Sequence, residues 1–416
     1  MNSRAERYDV AIAGGGTAGL ALACALADAL GTGARIAVAD RVPLRSGAGP
    51  GDARAFALSA GAKRMLSVLG VWPALVGHAE PITAIDITDS SLDDAFRPVL
   101  VSYDNTVDGG EPATYIVEQG RLREALLTAA ARRPSIGLFG GEPAVGFQVD
   151  EHGIGVDLGG QSQPRSLRAT LLVAADGGGS PLREAAGIGV VRWSYPQAGI
   201  VTTVRLEQPH RGRAVQHFLP SGPFAILPLT ENRACITWTE DAARAREILA
   251  LDDAGFLAEV EKRFGYRLGA VALAGPRASW PLDMHLARAL VADRFALVGD
   301  AAHGVHPIAG QGLNLGLRDV AALAEVVADA ARLGLDIGSL TVLECYERWR
   351  RLDSALSAAT FDALNRLFSN DVSVLRTARD LGLGLVERLP ALKQLFVAEA
   401  AGLTGEVPKL LRGERA

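Results

Sequence analysis

The sequence has few cysteines and no excess of basic residues. It has 3 cysteines in 416 residues, and Cys24, Cys235 and Cys345 are too far apart to form a CxxC pair. This spacing argues against a disulfide framework and a thiolate metal site, and it predicts a reducing compartment. Basic residues are not in excess either, because 42 lysines and arginines against 47 acidic residues give a net charge of −5. Such a balance offers no attraction to a nucleic-acid backbone.

The sequence also lacks a membrane span or targeting signal of the usual kind. The uncharged stretch 10–27 is long, but a cluster of glycines interrupts its first half. No basic flank followed by a small-residue cleavage site accompanies it. We therefore expect a cytoplasmic protein. Its composition, with 21% charged and 49% hydrophobic residues, predicts a folded chain, and a length of this order allows about two or three domains.

The first 40 residues have the pattern of a dinucleotide-binding unit. Apolar residues at 8–13 and 35–39 predict two buried strands, and a helical pattern lies between them at 20–30. The turn after the first strand, GGGTAG at 14–19, satisfies GxGxxG. Its glycines form the bend, admit a pyrophosphate and allow helix and strand to pack closely, while the helix start faces the phosphates. The expected contacts are Gly14, Gly16, Thr17, Ala18 and Gly19.

Asp40 follows the second predicted strand, 21 residues after Gly19. A carboxylate at this place can accept hydrogen bonds from the two hydroxyls of a ribose. We include Asp40 and the adjacent Arg41 in the predicted cofactor site. The unit by itself does not distinguish FAD from NAD.

The chain beyond residue 185 changes pattern twice. Short apolar runs separated by proline, glycine and asparagine predict an antiparallel sheet in a second domain, with strands at 200–206, 214–219, 224–229 and 234–239. After Gly312, apolar residues recur at i, i+3 and i+4 and predict helices at 313–333, 344–367 and 390–401. Two more short apolar strands, at 169–174 and 295–298, each run into an Asp-Gly or Gly-Asp step. We expect these two and the first strand to share one sheet.

The segments that follow these two strands carry a family resemblance. Residues 295–314 have the sequence FALVGDAAHGVHPIAGQGLN, and residues 174–183 have AADGGGSPLR. Together with the glycine turn they resemble the three FAD fingerprints of class A flavoprotein monooxygenases. The stretches DARAFALS at 52–59, LGVW at 69–72 and YIVE at 115–118 are similar to the ubiquinone-biosynthesis hydroxylases of that class. The resemblance extends from about residue 8 to residue 403.

The resemblance implies an α/β fold in three parts. The first is a Rossmann-like FAD-binding domain of the para-hydroxybenzoate hydroxylase type, discontinuous over 1–75, 107–185 and 285–340. The second is a substrate domain with a mixed or antiparallel sheet, formed by 76–106 and 186–284. The third is a helical C-terminal region at 341–416.

The resemblance also implies the chemistry. In this class NAD(P)H reduces FAD, the reduced flavin binds O₂ as a C4a-hydroperoxide, and an electron-rich phenol ring attacks the distal oxygen. The implied cofactor is FAD, the co-substrates are NAD(P)H and O₂, and the substrate is a polyprenylated phenol of ubiquinone biosynthesis. Arg54 is expected at the flavin and Glu118 near the ribityl chain. Further implied cofactor contacts are Arg123, Asp176, Gly177, Gly299, Asp300, Pro307, Gly310, Gln311, Gly312, Leu313 and Asn314.

The start of the helix after residue 311 is a candidate catalytic element. Its free N–H groups and positive dipole end can stabilise negative charge on a reduced flavin. The catalytic candidates are accordingly Pro307, Gly312, Leu313 and Asn314, and His303 is added because a histidine titrates near neutral pH. The HxxH spacing of His303 and His306 does not predict a metal site, since no third ligand follows it.

The predicted second sheet supplies candidates for a substrate pocket: Gln216, Phe218, Phe224, Ile226 and Pro228. Alternation sends only half of a strand's side chains to one face, so ordinary sheet packing stays open for each of them. The apolar stripe of Leu389, Leu392, Leu395 and Phe396 favours packing on its own domain. Contact with the membrane surface, contact with other proteins of ubiquinone biosynthesis and self-association remain open.

Two alternative functions remain open at this stage. One is another enzyme on the same fold, such as a small-phenol hydroxylase or an isoprenoid reductase. The other is a flavoprotein that binds FAD without turnover and serves as a subunit of a biosynthetic complex. Neither the ring carbon nor the length of the prenyl chain is encoded in the fingerprints.

Overall fold

The computed structural model describes residues 6–45, 53–89, 92, 98–160, 165–265, 268–305, 310–368 and 390–416. The larger helices are α1 (Thr17–Leu30), α2 (Ala60–Val68), α3 (Gln119–Ala131), α4 (Pro181–Ala185), α5 (Ala242–Leu249), α6 (Asp253–Phe264), α7 (Gly312–Arg332) and α8 (Leu340–Phe368), followed by Pro390–Ala400 and Lys409–Arg412. Short 3₁₀ turns lie at Trp72–Ala74, Val76–His78, Asp108–Gly110 and Gly299–Ala301.

The strands, in chain order, are β1 (Glu6–Ala13), β2 (Ile36–Asp40), β3 (Ala55–Ser59), β4 (Ala79–Pro81), β5 (Ala84–Asp89), β6 (Val101–Asp104), β7 (Thr114–Glu118), β8 (Ile136–Gly140), β9 (Ala144–Asp150), β10 (Gly153–Leu158), β11 (Arg165–Ala174), β12 (Val190–Leu206), β13 (Arg213–Leu219), β14 (Gly222–Leu229), β15 (Arg233–Asp241), β16 (Val271–Leu273), β17 (Ala278–Ala287), β18 (Val291–Ala292), β19 (Phe295–Leu297) and β20 (His303–Gly304). They form three sheets. The smallest has the order β3-β7-β4.

The first sheet joins three distant segments of the chain. Its order is β18-β19-β11-β1-β2-β8, with β9 and β10 attached through β11. Strands β1, β11 and β19 run parallel, and Ala13, Ala174 and Leu297 are neighbours at their carboxyl ends. This arrangement confirms the expectation that the three strands share one sheet. The loops that follow them therefore start side by side.

Helix α1 is buried on several sides, because it packs against the first sheet and also against α3 and α7. Leu20, Leu22 and Leu26 are fully buried. Close approach depends on Gly19, where an added Cβ would lie 1.9 Å from the carbonyl oxygen of Gly14. The third glycine of the turn thus serves packing, as its place in GxGxxG predicts.

The second sheet has the order β20-β17-β12-β15-β14-β13-β5-β6, with β16 beside β12. The strands expected between residues 200 and 239 are present, but the sheet is mixed, because β5 pairs with β13 in parallel. One face packs against α5 and α6 around Trp238 and Phe256. The other face packs around Val201 and Ala214 against residues of the smallest sheet, among them Ile116 of β7 and Ala57 of β3.

The three predicted C-terminal helices are confirmed as α7, α8 and the helix at Pro390–Ala400. The apolar stripe of Leu389, Leu392, Leu395 and Phe396 lies outside the residues whose side chains are described. Among the described residues, no helix is both long and apolar enough to cross a bilayer. The domain boundaries implied by the family resemblance stay a prediction.

We predict that Gly19→Ala destabilises the first sheet, because the new Cβ would collide with the backbone at Gly14. Overpacking of this kind costs about 1–3 kcal/mol. Thermal unfolding of the FAD-free protein measures the effect. The matched control is Gly33→Ala, where the added Cβ meets no atom within 4 Å. Equal melting temperatures for the two variants would contradict the packing role of Gly19.

Candidate functional site

A large cavity of about 2160 Å³ is lined by residues of the first sheet, the second sheet and helix α7. Almost every residue predicted for the cofactor site lines it. The exceptions are Gly19, which packs below the turn, and Pro307, which lies outside the described residues together with His306. The topology thus brings to one place side chains that are up to 300 positions apart in the chain.

The glycine turn forms one wall of this cavity. Gly14 has a φ of +111° and lies so close to Ala175 that an added Cβ would be 2.2 Å from that carbonyl oxygen. An added Cβ at Gly16 would meet no atom within 4 Å. Helix α1 begins after Gly16 with no side-chain cap, so its first N–H groups face open space. This combination suits a pyrophosphate, which needs close backbone approach and N–H donors.

Asp40 ends β2 beside the turn. Its carboxylate accepts hydrogen bonds from the backbone N–H groups of Gly15 and Val42, the latter at 2.7 Å. A carboxylate has about four acceptor positions, so roughly two remain for ribose hydroxyls. Arg41, the next residue, also lines the cavity.

The loop after β11 contributes a buried carboxylate, Asp176. Both oxygens of Asp176 are buried and lack a well-placed hydrogen-bond partner among the described residues. Burial raises the pKa of this carboxyl above its ordinary value. A ligand hydroxyl that donated to Asp176 would relieve this cost, since buried polar groups are normally paired. Gly177, at a φ of +94°, turns the chain back toward α4.

The turn after β19 presents Asp300. Gly299 has a φ of +60°, and the side chain of Asp300 is exposed within the cavity lining. Two residues hold the backbone of this turn in place. Nε2–H of His285 donates to the carbonyl oxygen of Asp300 at 2.8 Å, and burial lowers the pKa of that histidine, which favours the neutral ring. Arg183 donates to the carbonyl oxygens of Ala301 (2.9 Å) and Gly178 (3.0 Å), and so ties this turn to the Asp176 loop.

The start of helix α7 closes the cavity on another side. Gly310 has a φ of +62°, and the helix begins at Gly312 without a side-chain cap. The N–H groups of its first turn are therefore available to a ligand. The side chain of Asn314 is already used: Oδ1 accepts from Ser59 N–H at 2.9 Å, and Nδ2 donates to the carbonyl oxygen of Ala57 at 2.7 Å. It anchors α7 to β3.

Two further predicted contacts have partners that the sequence did not indicate. The guanidinium of Arg54 lies 5.7 Å from the ring centre of Trp280, in cation–π geometry. Glu118 accepts two hydrogen bonds from Arg233, at 3.0 and 3.1 Å. Trp280 and Arg233 line the same cavity. The motifs did not mark them because both lie on strands of the second sheet.

Comparison with known proteins agrees with these features. The model of the FAD binding domain family matches residues 7–352. Ubiquinone hydroxylase UbiL of Rhodospirillum rubrum is 44% identical over 409 residues, which cover 97% of this chain and 92% of that protein. The chain belongs to the FAD-dependent hydroxylases of ubiquinone biosynthesis.

Two other members of the family also match over most of their length. The 3-demethoxyubiquinol 3-hydroxylase of Escherichia coli is 34% identical, with 95% of this chain and 98% of that protein covered. The human mitochondrial ubiquinone biosynthesis monooxygenase COQ6 is 32% identical, with 95% and 92% covered. In fold, the chain resembles the p-nitrophenol 4-monooxygenase PnpA of Pseudomonas putida at a TM-score of 0.79, with 20% identity and 96% and 99% covered. The predicted family and fold class are confirmed.

FAD fits the cavity of this family member. The open space at Gly16, the unpaired buried carboxylate of Asp176 and the uncapped start of α7 are the three kinds of feature that a flavin dinucleotide would satisfy. Among the described residues, no group of three or more His, Cys, Asp and Glu side chains could hold a metal ion.

His303 does not face this cavity. Its ring is 1% exposed, is absent from the cavity lining, and contacts the carboxylate of Asp319 through Nε2 at 2.6 Å. This corrects the prediction of His303 as a catalytic candidate, because the chain after the 3₁₀ turn at 299–301 directs the ring into the protein. The buried position of His303 beside Asp319 supports a structural role.

The prediction of the substrate pocket is wrong for three of its five residues. Gln216 and Phe218 line the cavity, whereas Phe224, Ile226 and Pro228 do not. Strand alternation explains the difference, since Phe224 and Ile226 pack into the core under α5 and α6. On the same strand, Ala225 and Leu227 line the cavity instead.

Asp319 is a buried centre that the motif analysis missed. It is 0% exposed and contacts three donors: Gly299 N–H at 3.0 Å, His303 Nε2 at 2.6 Å and Arg350 Nε at 2.8 Å. Burial acts to raise the pKa of its carboxyl, but the contacts with His303 and Arg350 lower it below its ordinary value. The carboxylate thus links the Asp300 turn to α7 and α8. The sequence did contain a signal for Asp319, because a charged residue inside the apolar pattern of α7 is unusual unless it is paired.

We predict that Asp319→Asn lowers the free energy of unfolding by about 3–5 kcal/mol, because it removes the fully buried charge partner of Arg350 and leaves this arginine only the partly exposed Asp353. Urea unfolding measures this. The control is Asp336→Asn, which removes an aspartate that also pairs with an arginine and a backbone N–H but is 42% exposed. It should cost less than about 1 kcal/mol. A similar loss of unfolding free energy in both variants would contradict the claim that the buried contacts of Asp319 stabilise the fold.

Proposed function

We propose that this chain hydroxylates the aromatic ring of a polyprenylated phenol in ubiquinone biosynthesis, with NAD(P)H as the electron donor for its FAD. The observation that carries the proposal is the single cavity that touches both the glycine turn and the apolar face of the second sheet. Its volume of about 2160 Å³ exceeds the ~300–1,000 Å³ of ordinary ligand pockets. It has room for a dinucleotide and an apolar substrate together.

The chain's own part in the reaction is to bind, orient and exclude water. When bound, FAD supplies the redox chemistry that activates O₂. We propose that Asp40, Asp176 and Asp300 accept hydrogen bonds from hydroxyls of the cofactor, and that the backbone at Gly16 faces its pyrophosphate. The free N–H groups at the start of α7 would stabilise negative charge in the adjoining part of the flavin.

The apolar part of the cavity supports a prenylated substrate. Aliphatic side chains on several strands of the second sheet line it, among them Val201, Leu227, Ile85 and Val101. These aliphatic groups offer a prenyl chain the contacts that it lacks in water. They also keep water from the reacting centre, which a ring hydroxylation requires.

We predict that Asp300→Ala is purified with little FAD and an intact fold. Its side chain is exposed in the cavity lining, so removing it should change the free energy of unfolding by less than about 1 kcal/mol. The ratio of flavin absorbance to protein absorbance measures occupancy, and circular dichroism checks the fold. Full occupancy in this variant would mean that the turn after β19 does not bind the cofactor.

The function itself is tested by aerobic turnover with ¹⁸O₂. The FAD-loaded protein is incubated with a short-chain prenylated phenol and NAD(P)H, and the product is examined by mass spectrometry and NMR. One ¹⁸O atom in the ring is expected, and the NMR spectrum identifies the carbon. Donor oxidation without ring label would favour a reductase. FAD that stays oxidised in the presence of substrate and NAD(P)H would favour the binding subunit.

A further inference from the structure

Six strands of the second sheet place one side chain each in a single row across the cavity face. Backbone pairing fixes the order, because each residue lies opposite the next on the neighbouring strand. The row, which we call the floor row, consists of Val201, Thr237, Ala225, Gln216, Ile87 and Val101. All six line the cavity.

Two small side chains lie beside Gln216 on the cavity face. Ala225 lies next to Gln216 on one side, and Ala214 precedes it by two residues on the same face of β13. Both alanines line the cavity, whereas Ile87, on the other side of Gln216, and Val101 beyond it carry branched side chains. A planar ring can therefore approach the sheet closely over the two alanines, beside Gln216.

The amide nitrogen of Gln216 has no partner in this apolar setting. Nε2 is buried and makes no hydrogen bond with any described residue. Its neighbours in the row, Ala225 and Ile87, offer no acceptor. The hydroxyl of Thr237 is two strands away, about 10 Å at the usual strand spacing, and out of reach. Buried donors of this kind are normally satisfied, so the amide is suited to an acceptor on a ligand.

We propose that Gln216 determines specificity by donating a hydrogen bond from Nε2 to an oxygen substituent on the aromatic ring of the substrate. The inference rests on the proposed function and names the group that the site recognises. A prenyl chain has no acceptor, so the ring oxygen is the part of such a substrate that can pair with the amide. The bond would fix which edge of the ring faces the rest of the cavity.

The test compares two ligands on the FAD-loaded protein. Binding of 2-prenylphenol and of prenylbenzene, which lacks the oxygen, is followed by the change in flavin absorbance. Gln216→Met keeps the length of the side chain and removes the donor. We expect it to weaken binding of 2-prenylphenol about ten-fold, the usual effect of losing one hydrogen bond, and to leave prenylbenzene within about two-fold or bound more tightly.

Two further variants complete the design. Gln216→Glu keeps the shape of the side chain but has no N–H donor when ionised, and it should weaken binding of 2-prenylphenol at least as much. Gln148→Met makes the same chemical change at an exposed position of β9, outside the cavity lining, and should change neither affinity. Flavin content and circular dichroism confirm that each variant is folded before it is compared.

The outcomes separate this inference from the function on which it rests. Equal weakening of both ligands by Gln216→Met, or no weakening of either, would overturn the role of the amide even if labelled product forms. A selective loss for 2-prenylphenol, with no labelled product in the ¹⁸O₂ experiment, would uphold Gln216 and refute the proposed function. Absence of any binding of 2-prenylphenol to the FAD-loaded wild type would overturn the inference.

Discussion

Parallel pairing of β1, β11 and β19 is the constraint on which the rest of the structure depends. Parallel strands end at the same edge of a sheet, and here Ala13, Ala174 and Leu297 are direct neighbours. The glycine turn, the Asp176 loop and the Asp300 turn must therefore begin within two strand spacings, roughly 10 Å, of one another. Buried contacts then hold two of them in place: Arg183 ties the Asp176 loop to the Asp300 turn, and Asp319 ties the Asp300 turn to α7 and α8. One cofactor site results from segments that are far apart in sequence.

The second sheet complements this edge because its two faces differ in kind. One face packs against α5 and α6 around large aromatic side chains and holds the sheet rigid. The other carries aliphatic side chains, small residues and one unpaired amide toward the cavity. A site built this way suits the chemistry of its family, in which the cofactor activates oxygen and the protein supplies orientation and a dry environment.

The sequence predicts the local parts of this account well. A strand followed at once by a glycine turn or an Asp-Gly step is encoded within about ten residues, so the fingerprints and most of their elements could be located without a structure. The choice of sheet face could not, because a shift of one residue reverses every side chain and nothing local fixes it. Phe224 and Ile226 were expected at the pocket for that reason, although Ala225 and Leu227 line it. Asp319, His285 and Arg233 depend on contacts between distant segments, which no short pattern encodes.

The central claim is that three strand ends and the start of α7 bind one FAD together. Hydrogen exchange of the protein with and without FAD tests it most directly. The account predicts that FAD slows exchange at all four segments, namely residues 14–19, 176–180, 299–302 and 312–316, and leaves α5 and α6 unchanged. Protection of the glycine turn alone, with the other three segments exchanging as in the FAD-free protein, would contradict it.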